Sequence, residues 1–84
     1  MATSTSLSRE QVLALARARR YAQDGTARAI REAHGLSLAN MAEGIGVVTA
    51  TIWRWEHGET EPRGMAAVRW CQLLEDLQKL ETPA

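Results

Sequence analysis

The chain has 84 residues, of which 45% are apolar, and its 10 basic and 10 acidic side chains give a formal net charge of zero. This length fits one domain, because a second core would have too little apolar material. The lone Cys71 excludes an internal disulfide, and no apolar run approaches the ~20 residues of a membrane span. We therefore expect a protein of the reducing cytosol, and the neutral charge argues against an indiscriminate polyanion binder.

The charge is unevenly distributed along the chain. Residues 1–35 carry six arginines against three acids, a balance of +3, whereas residues 36–58 sum to −1 and residues 59–84 to −2. A basic first part can present a basic face although the chain is neutral. Solvated charges on helix surfaces explain the same pattern, so both interpretations stay open.

The first predicted helix begins after Ser8. Ser8 and Gln11 have the spacing of a capping box, and the stretch that follows, to about Gln23, consists mostly of good helix formers. The Ser/Thr-rich residues 1–6 ahead of it are predicted to be disordered.

A second helix is predicted after the break at Asp24-Gly25. Asp24 or Thr26 is expected to cap it through a side-chain oxygen. The helix should end at His34-Gly35, where the glycine can adopt the left-handed conformation that helix ends favour.

Two further short helices are predicted in the middle of the chain. Ser37 should cap the third, which runs only to about residue 43 or 44, and Gly46 can take a positive φ in the turn that follows. Thr49 should cap the fourth, which ends near His57-Gly58.

A long fifth helix is predicted from Arg63 or Gly64. Its apolar residues recur at spacings of three and four, which makes one continuous apolar stripe along the helix. They are Ala66, Ala67, Trp70, Leu73, Leu74, Leu77 and Leu80. No segment alternates with a period of two over a useful length, so the sequence predicts an all-α fold.

Two short helices joined through a glycine-containing turn form the helix-turn-helix arrangement. The supporting motifs are Ile30-Arg-Glu-Ala33, Leu36-Ser-Leu38, Met41-Ala-Glu43, Ile45-Gly-Val47, Thr51 to Gly58 and Pro62-Arg63. With these motifs, residues 26–63 resemble the Cro/cI-type (XRE-like) helix-turn-helix family. The flanks are similar to those of small standalone members from actinobacteria and their phages, so the resemblance covers a single domain at residues 7–80, followed by a tail at 81–84. It implies a lambda-repressor-like bundle of about five helices with an extra N-terminal helix and a long C-terminal helix.

The resemblance also implies a site. The helix at residues 49–57 would be the recognition helix, which lies in the major groove of double-stranded DNA. The contacts implied for this helix, to bases or phosphates, come from Thr49, Ala50, Thr51, Trp53 and Arg54. Those implied elsewhere, to the DNA backbone, come from Ser37, Arg28, Arg31 and Arg63.

Simpler explanations compete with these roles. Arg54 would instead pair with Glu56 or Glu43 on a solvated surface. Trp53 lies one position off the buried face of its helix, so it contacts either nucleic acid or a protein partner.

Other singled-out residues have structural roles. Trp55 and Trp70 are expected in the core, and Cys71 as a buried, inert thiol. His34 and His57 precede glycines at helix ends, where a capping role is commoner than metal binding.

Several positions depart from the family pattern. Leu38 stands where members often have Gln, and Val48 stands where a polar cap is usual. Glu59 and Glu61 occupy a loop that is often basic. We therefore expect few phosphate contacts and a need for dimerisation, with the last helix around Leu77 and Leu80, or the leading helix, as the candidate surface.

No constellation of catalytic groups is apparent, so no enzyme, cofactor or metal is expected. The leading hypothesis is a sequence-specific DNA-binding transcriptional regulator of the repressor or Cro kind in the bacterial cytoplasm. The alternative is a helix-turn-helix scaffold that binds a protein through Trp53 and the acidic loop at 59–61, as an antirepressor, antitoxin or host-factor modulator would.

Overall fold

The structure, a computed structural model, describes residues 6–81, and these form five α-helices without strands. In chain order the helices are α1 (Arg9–Gln23), α2 (Thr26–Ala33), α3 (Leu38–Ile45), α4 (Thr49–Glu56) and α5 (Gly64–Glu81). This confirms the all-α prediction and each predicted helix. Most of the predicted disordered start, residues 1–5, and residues 82–84 of the predicted tail lie outside the described residues. Helix α5 continues through Glu81, one residue beyond the predicted domain end.

Helix α1 begins with the predicted capping box. The Ser8 hydroxyl accepts a hydrogen bond from the Gln11 N–H at 3.1 Å, and the Gln11 side chain accepts one from the Ser8 N–H at 2.9 Å. The buried face of α1 consists of Ala14, Ala18 and Ala22. Such small side chains let two helices approach closely, and α1 packs mainly against α5.

Helix α2 is capped differently from the prediction. Its cap residue is Gly25, with φ of 81°, rather than Asp24 or Thr26, and no side chain caps it in the usual way. The Asp24 carboxylate instead accepts a hydrogen bond from the Thr26 N–H at 2.9 Å, and hydrogen bonding from Thr26 holds the pKa of Asp24 below its usual range. The predicted end at His34, followed by Gly35 with a positive φ of 65°, is confirmed.

Helix α3 has the predicted cap but a later end. The Ser37 hydroxyl accepts from the Asn40 N–H at 2.9 Å, and the Asn40 side chain accepts from the Ser37 N–H at 3.0 Å. The helix runs to Ile45 instead of stopping at residue 43 or 44, because burial of Ile45 in the core outweighs the weak helix preference of Gly44. Gly46 then turns the chain with φ of 79°, as predicted.

Helix α4 begins without a side-chain cap. Val48 occupies the cap position in an extended conformation, and Thr49 is already the first helical residue. The prediction that Thr49 caps this helix is therefore wrong. An eight-residue helix without a cap is unstable alone, so α4 depends on contacts with the rest of the chain.

The core is centred on two tryptophans. Trp55 of α4 is 4% exposed and Trp70 of α5 is fully buried, with ring centroids 4.8 Å apart at an interplanar angle of 45°. This confirms the predicted core positions of both residues. The Trp70 indole N–H has no acceptor among residues 6–81, which costs about 1–3 kcal/mol that the burial of the ring must exceed. The other large, fully buried side chains are Met41, Ile52, Val68, Cys71 and Leu74.

A polar cluster joins α1 to α5 beside this core. The Glu75 carboxylate accepts from the Arg17 guanidinium at 2.6 and 3.2 Å and from the Tyr21 hydroxyl at 2.8 Å. These bonds, that of Arg17 above all, hold the pKa of Glu75 below its ordinary value. Cys71 is fully buried as predicted, and burial, with a smaller effect of Glu75, raises the pKa of its thiol to about 11.

Replacing Glu75 by Gln should lower the free energy of unfolding by about 1–3 kcal/mol at neutral pH, because charge-assisted hydrogen bonds are lost. The pKa of Glu75 is lower in the folded chain than its unperturbed value of 4.5, so its contribution is complete above that pH and declines as the pH falls through the folded value. Urea titrations across this range should therefore show the difference between native and variant chains narrowing in acid.

The matched control is Asp76→Asn on the same helix. The Asp76 side chain is 71% exposed, and its one ion pair within residues 6–81 is with Lys79, at 3.6 Å. This substitution should change stability by less than about 0.5 kcal/mol. A Glu75→Gln effect that stays constant down to low pH would contradict the role of the ionised carboxylate.

Candidate nucleic-acid interface

A short turn fixes α4 against α3. The Ala42 carbonyl accepts from the N–H groups of Gly46 and Val47, at 2.9 and 3.0 Å, which closes the end of α3. Ala42 is itself only 2% exposed, because a small side chain is needed where the two helices meet. Two short helices joined in this way form a helix-turn-helix unit.

Helix α4 has one buried and one exposed face. Ile52 and Trp55 face the core. On the opposite side four side chains follow each other at helical spacing, and we call them the exposed stripe. They are Ala50, Trp53, Arg54 and His57.

Trp53 and His57 stack within the exposed stripe. Their ring centroids are 4.0 Å apart and the rings are nearly parallel, at 18°. The His57 Nδ1 lies 2.8 Å from the Trp53 carbonyl oxygen, so with its proton on Nδ1 the imidazole donates to the end of α4. The predicted helix-end position of His57 is confirmed. The sequence analysis did not place His57 in the exposed stripe. Its spacing of seven residues from Ala50, about two helical turns, would have predicted that position.

Arg54 has no acidic partner among residues 6–81. It is exposed, and it makes no ion pair with any residue between 6 and 81. The alternative prediction, in which Glu56 or Glu43 neutralises Arg54, is therefore wrong for this structure. Its guanidinium retains all of its donors for a ligand.

Glu56, a predicted partner of Arg54, instead forms a buried ion pair with Arg31. The Arg31 Nε and one terminal nitrogen donate to the two Glu56 oxygens at 2.7 and 2.9 Å, and the other donates to the Leu36 carbonyl at 2.9 Å. The side chains are only 12% and 1% exposed, and the pKa of Arg31 is raised chiefly by hydrogen bonding to Glu56. Arg31 was predicted to contact DNA. Its guanidinium is instead committed to holding α2 against α4.

The remaining predicted contacts are on several elements. Ser37 caps α3, and helix geometry leaves the N–H groups of Leu38 and Ala39 without partners in that helix. Thr49 is exposed at the start of α4, whereas Thr51 is half-buried beside its core face. Arg28 pairs with Glu32 at 3.0 Å on the surface of α2.

The basic first part of the chain is largely neutralised within the fold. Besides Arg17, Arg28 and Arg31, Arg19 lies 3.6 Å from Glu61 and donates to the Pro62 carbonyl at 2.9 Å. Arg63, in contrast, is exposed just before α5 and has no ion pair within residues 6–81. Among the arginines predicted to contact DNA, Arg54 and Arg63 are thus the two that no acidic side chain within residues 6–81 neutralises.

The described part of the chain holds no group of three His, Cys, Asp or Glu that could bind a metal ion. Nor does any helix within residues 6–81 combine the length and apolar character of a membrane span.

The arrangement corresponds to a known family. A helix-turn-helix family model matches residues 28–80, well over half of the chain, and includes α3, the turn and α4. Searches of curated proteins and of solved structures found no match. The chain belongs to the Cro/cI-type helix-turn-helix family, which is a family of DNA-binding regulator domains and not of enzymes.

Arg31→Ala should lower the free energy of unfolding by about 3–5 kcal/mol, because it leaves the Glu56 carboxylate buried without its partner. Arg28→Ala is the matched control on the same helix, since Arg28 also pairs with a glutamate but both side chains are more than half exposed. The control should cost less than about 0.5 kcal/mol. Urea unfolding of the two variants measures the difference, and equal losses would contradict the structural role of the buried pair.

Proposed function

We propose that this protein is a sequence-specific transcriptional regulator of the repressor or Cro kind, which binds double-stranded DNA and reads its major groove with α4. The observation that carries the proposal is the exposed stripe, which α4 presents on the side opposite its core contacts. A major groove about 12 Å wide admits one α-helix, and the side chains that face outward from that helix then meet base edges.

The chemistry of the free side chains supports this function. Arg54 has the planar pair of donors that matches guanine O6 and N7, a contact worth about 1–3 kcal/mol of discrimination. Thr49 at the start of α4 is suited to a base edge or a phosphate. The N-terminus of α3 at Ser37 is suited to a phosphate, and Arg63 would add a second contact to the backbone.

The charge distribution sets the expected strength of binding. Of the predicted DNA contacts only Arg54 and Arg63 carry a charge without an acidic partner within residues 6–81, so each subunit would neutralise few phosphates and bind with moderate affinity. We therefore propose that the protein acts as a homodimer on two half-sites one helical turn apart. Exposed apolar side chains on α1 and α5 are candidate contacts: Val12, Leu13 and Leu80. Such a regulator would reside in the bacterial cytoplasm, on chromosomal or phage DNA.

A second function is favoured by one observation. Val48 is 68% and Trp53 39% exposed, and large exposed apolar side chains also anchor protein interfaces. A protein partner would engage Trp53 and the acidic loop at 59–61. Binding of this kind responds weakly to salt, whereas log K for DNA falls by about 0.9 per log unit of salt for each phosphate contacted. A nuclease-treated pull-down that recovers a stoichiometric protein would favour this alternative.

Arg54→Ala should abolish the selective band in an electrophoretic mobility assay with fragments of the encoding genome, because the bidentate guanine contact is lost. Arg20→Ala is the control, since Arg20 is an exposed arginine on α1 outside the predicted site. It removes the same charge and should retain the band. Circular dichroism melts establish that both variants fold, and a native protein that yields no sequence-selective band would refute the proposed function.

A further inference from the structure

The surface that α4 offers is poor in hydrogen-bonding groups. Arg54 is the one member of the exposed stripe that can bond two base atoms at once. Val48, immediately before the helix, is 68% exposed, and Trp53 is the largest side chain of the stripe. Beside the Thr49 hydroxyl and the Arg54 guanidinium, a recognition surface with these residues draws its base contacts from apolar groups.

The stack with His57 restricts what Trp53 can do. One face of the indole lies against the imidazole ring at a centroid distance of 4.0 Å, so its orientation is set before any ligand arrives. An indole has a single N–H donor and no acceptor, and it cannot reproduce the paired contacts that Asn, Gln or Arg make with a base. Its uncovered surface is suited to an apolar group.

The major groove presents one such group on its base edges. Guanine, cytosine and adenine show donors and acceptors there, and thymine adds its C5-methyl group. Apolar side chains in the groove therefore discriminate thymine from the other bases. Ala50 is exposed in the first turn of α4 and Trp53 follows three residues later on the same face, so these two side chains form a continuous apolar surface.

We infer that α4 reads its half-site chiefly through thymine methyl groups, with Trp53 as the main apolar contact and Arg54 as the single bidentate contact to a guanine. This inference rests on the DNA-binding function proposed above, and it names the class of site that function requires. The preferred half-site contains at least one thymine whose methyl group packs against the Trp53 indole.

The first experiment selects duplexes from a library with a randomised core of about 20 base pairs, enough for two half-sites one helical turn apart. Each thymine of the selected duplex is then replaced in turn by deoxyuridine, which removes the methyl group and leaves the Watson–Crick pair intact. Loss of one buried methyl should raise the Kd about fourfold, since burial of such a group contributes about 0.8 kcal/mol.

The second experiment assigns the contact to Trp53 by a double-mutant cycle. Trp53→Ala should bind the thymine and deoxyuridine duplexes equally well, because the indole that senses the methyl is gone. Gln72→Ala is the control, since Gln72 is an exposed residue of α5 outside the candidate DNA and dimer contacts, and it should keep the fourfold difference. Trp53→Phe should keep part of it.

The outcomes distinguish failure of this inference from failure of the proposed DNA-binding function. Selected duplexes whose affinity is unchanged by every deoxyuridine replacement would overturn the inference and leave sequence-specific DNA binding intact. The same holds if folded Trp53→Ala still distinguishes thymine from deoxyuridine fourfold. A library from which nothing is enriched would overturn the proposed function, and the inference with it.

Discussion

The buried ion pair between Arg31 and Glu56 is the interaction on which the position of α4 depends. Helix α4 has eight residues and no side-chain cap, so its own hydrogen bonds do not keep it folded. Ile52 and Trp55 attach one side of it to the core, and the bidentate pair, with a further bond from Arg31 to the Leu36 carbonyl, attaches its C-terminal end to α2 and the following turn. Two charges are stable in so dry a site only with close geometry. The direction of the exposed stripe is therefore determined by residues that do not belong to it.

The same use of charge explains how a neutral chain can be a DNA-binding domain. Four arginines of the first helices are paired with glutamates on the same or other elements, and these pairs stabilise the fold without adding to a positive field. Arg54 and Arg63 keep their charge for a ligand. Under the function proposed above, bulk attraction to phosphates is small, and recognition would come from the fit of α4 to base edges and from two-fold assembly on the DNA.

Local signals in the sequence predicted most of the fold. The capping box at Ser8, the cap at Ser37, and the glycines after α2 and α3, Gly35 and Gly46, act over three or four residues, so their pattern in the sequence and their geometry in the structure agree. The errors arose where tertiary contacts compensate for a weak local signal. Val48 is a poor cap, and a polar residue next to it was expected to take over. Core packing makes the cap unnecessary, and Thr49 becomes the first residue of the helix.

The helices, the helix-turn-helix arrangement and the family can all be predicted from the amino-acid sequence, because they follow from spacings within a few residues and from motifs along the chain. The sequence also placed Trp53 and Arg54 outside the buried face of α4. The tertiary structure alone decided which arginine is buried and which is free, and that His57 stacks on Trp53. Arg31 and Glu56 are 25 residues apart, and no short-range spacing in the sequence links them. Only the fold brings Arg31 within reach of Glu56, while Arg28 on the same helix pairs with Glu32, and Arg54 remains available.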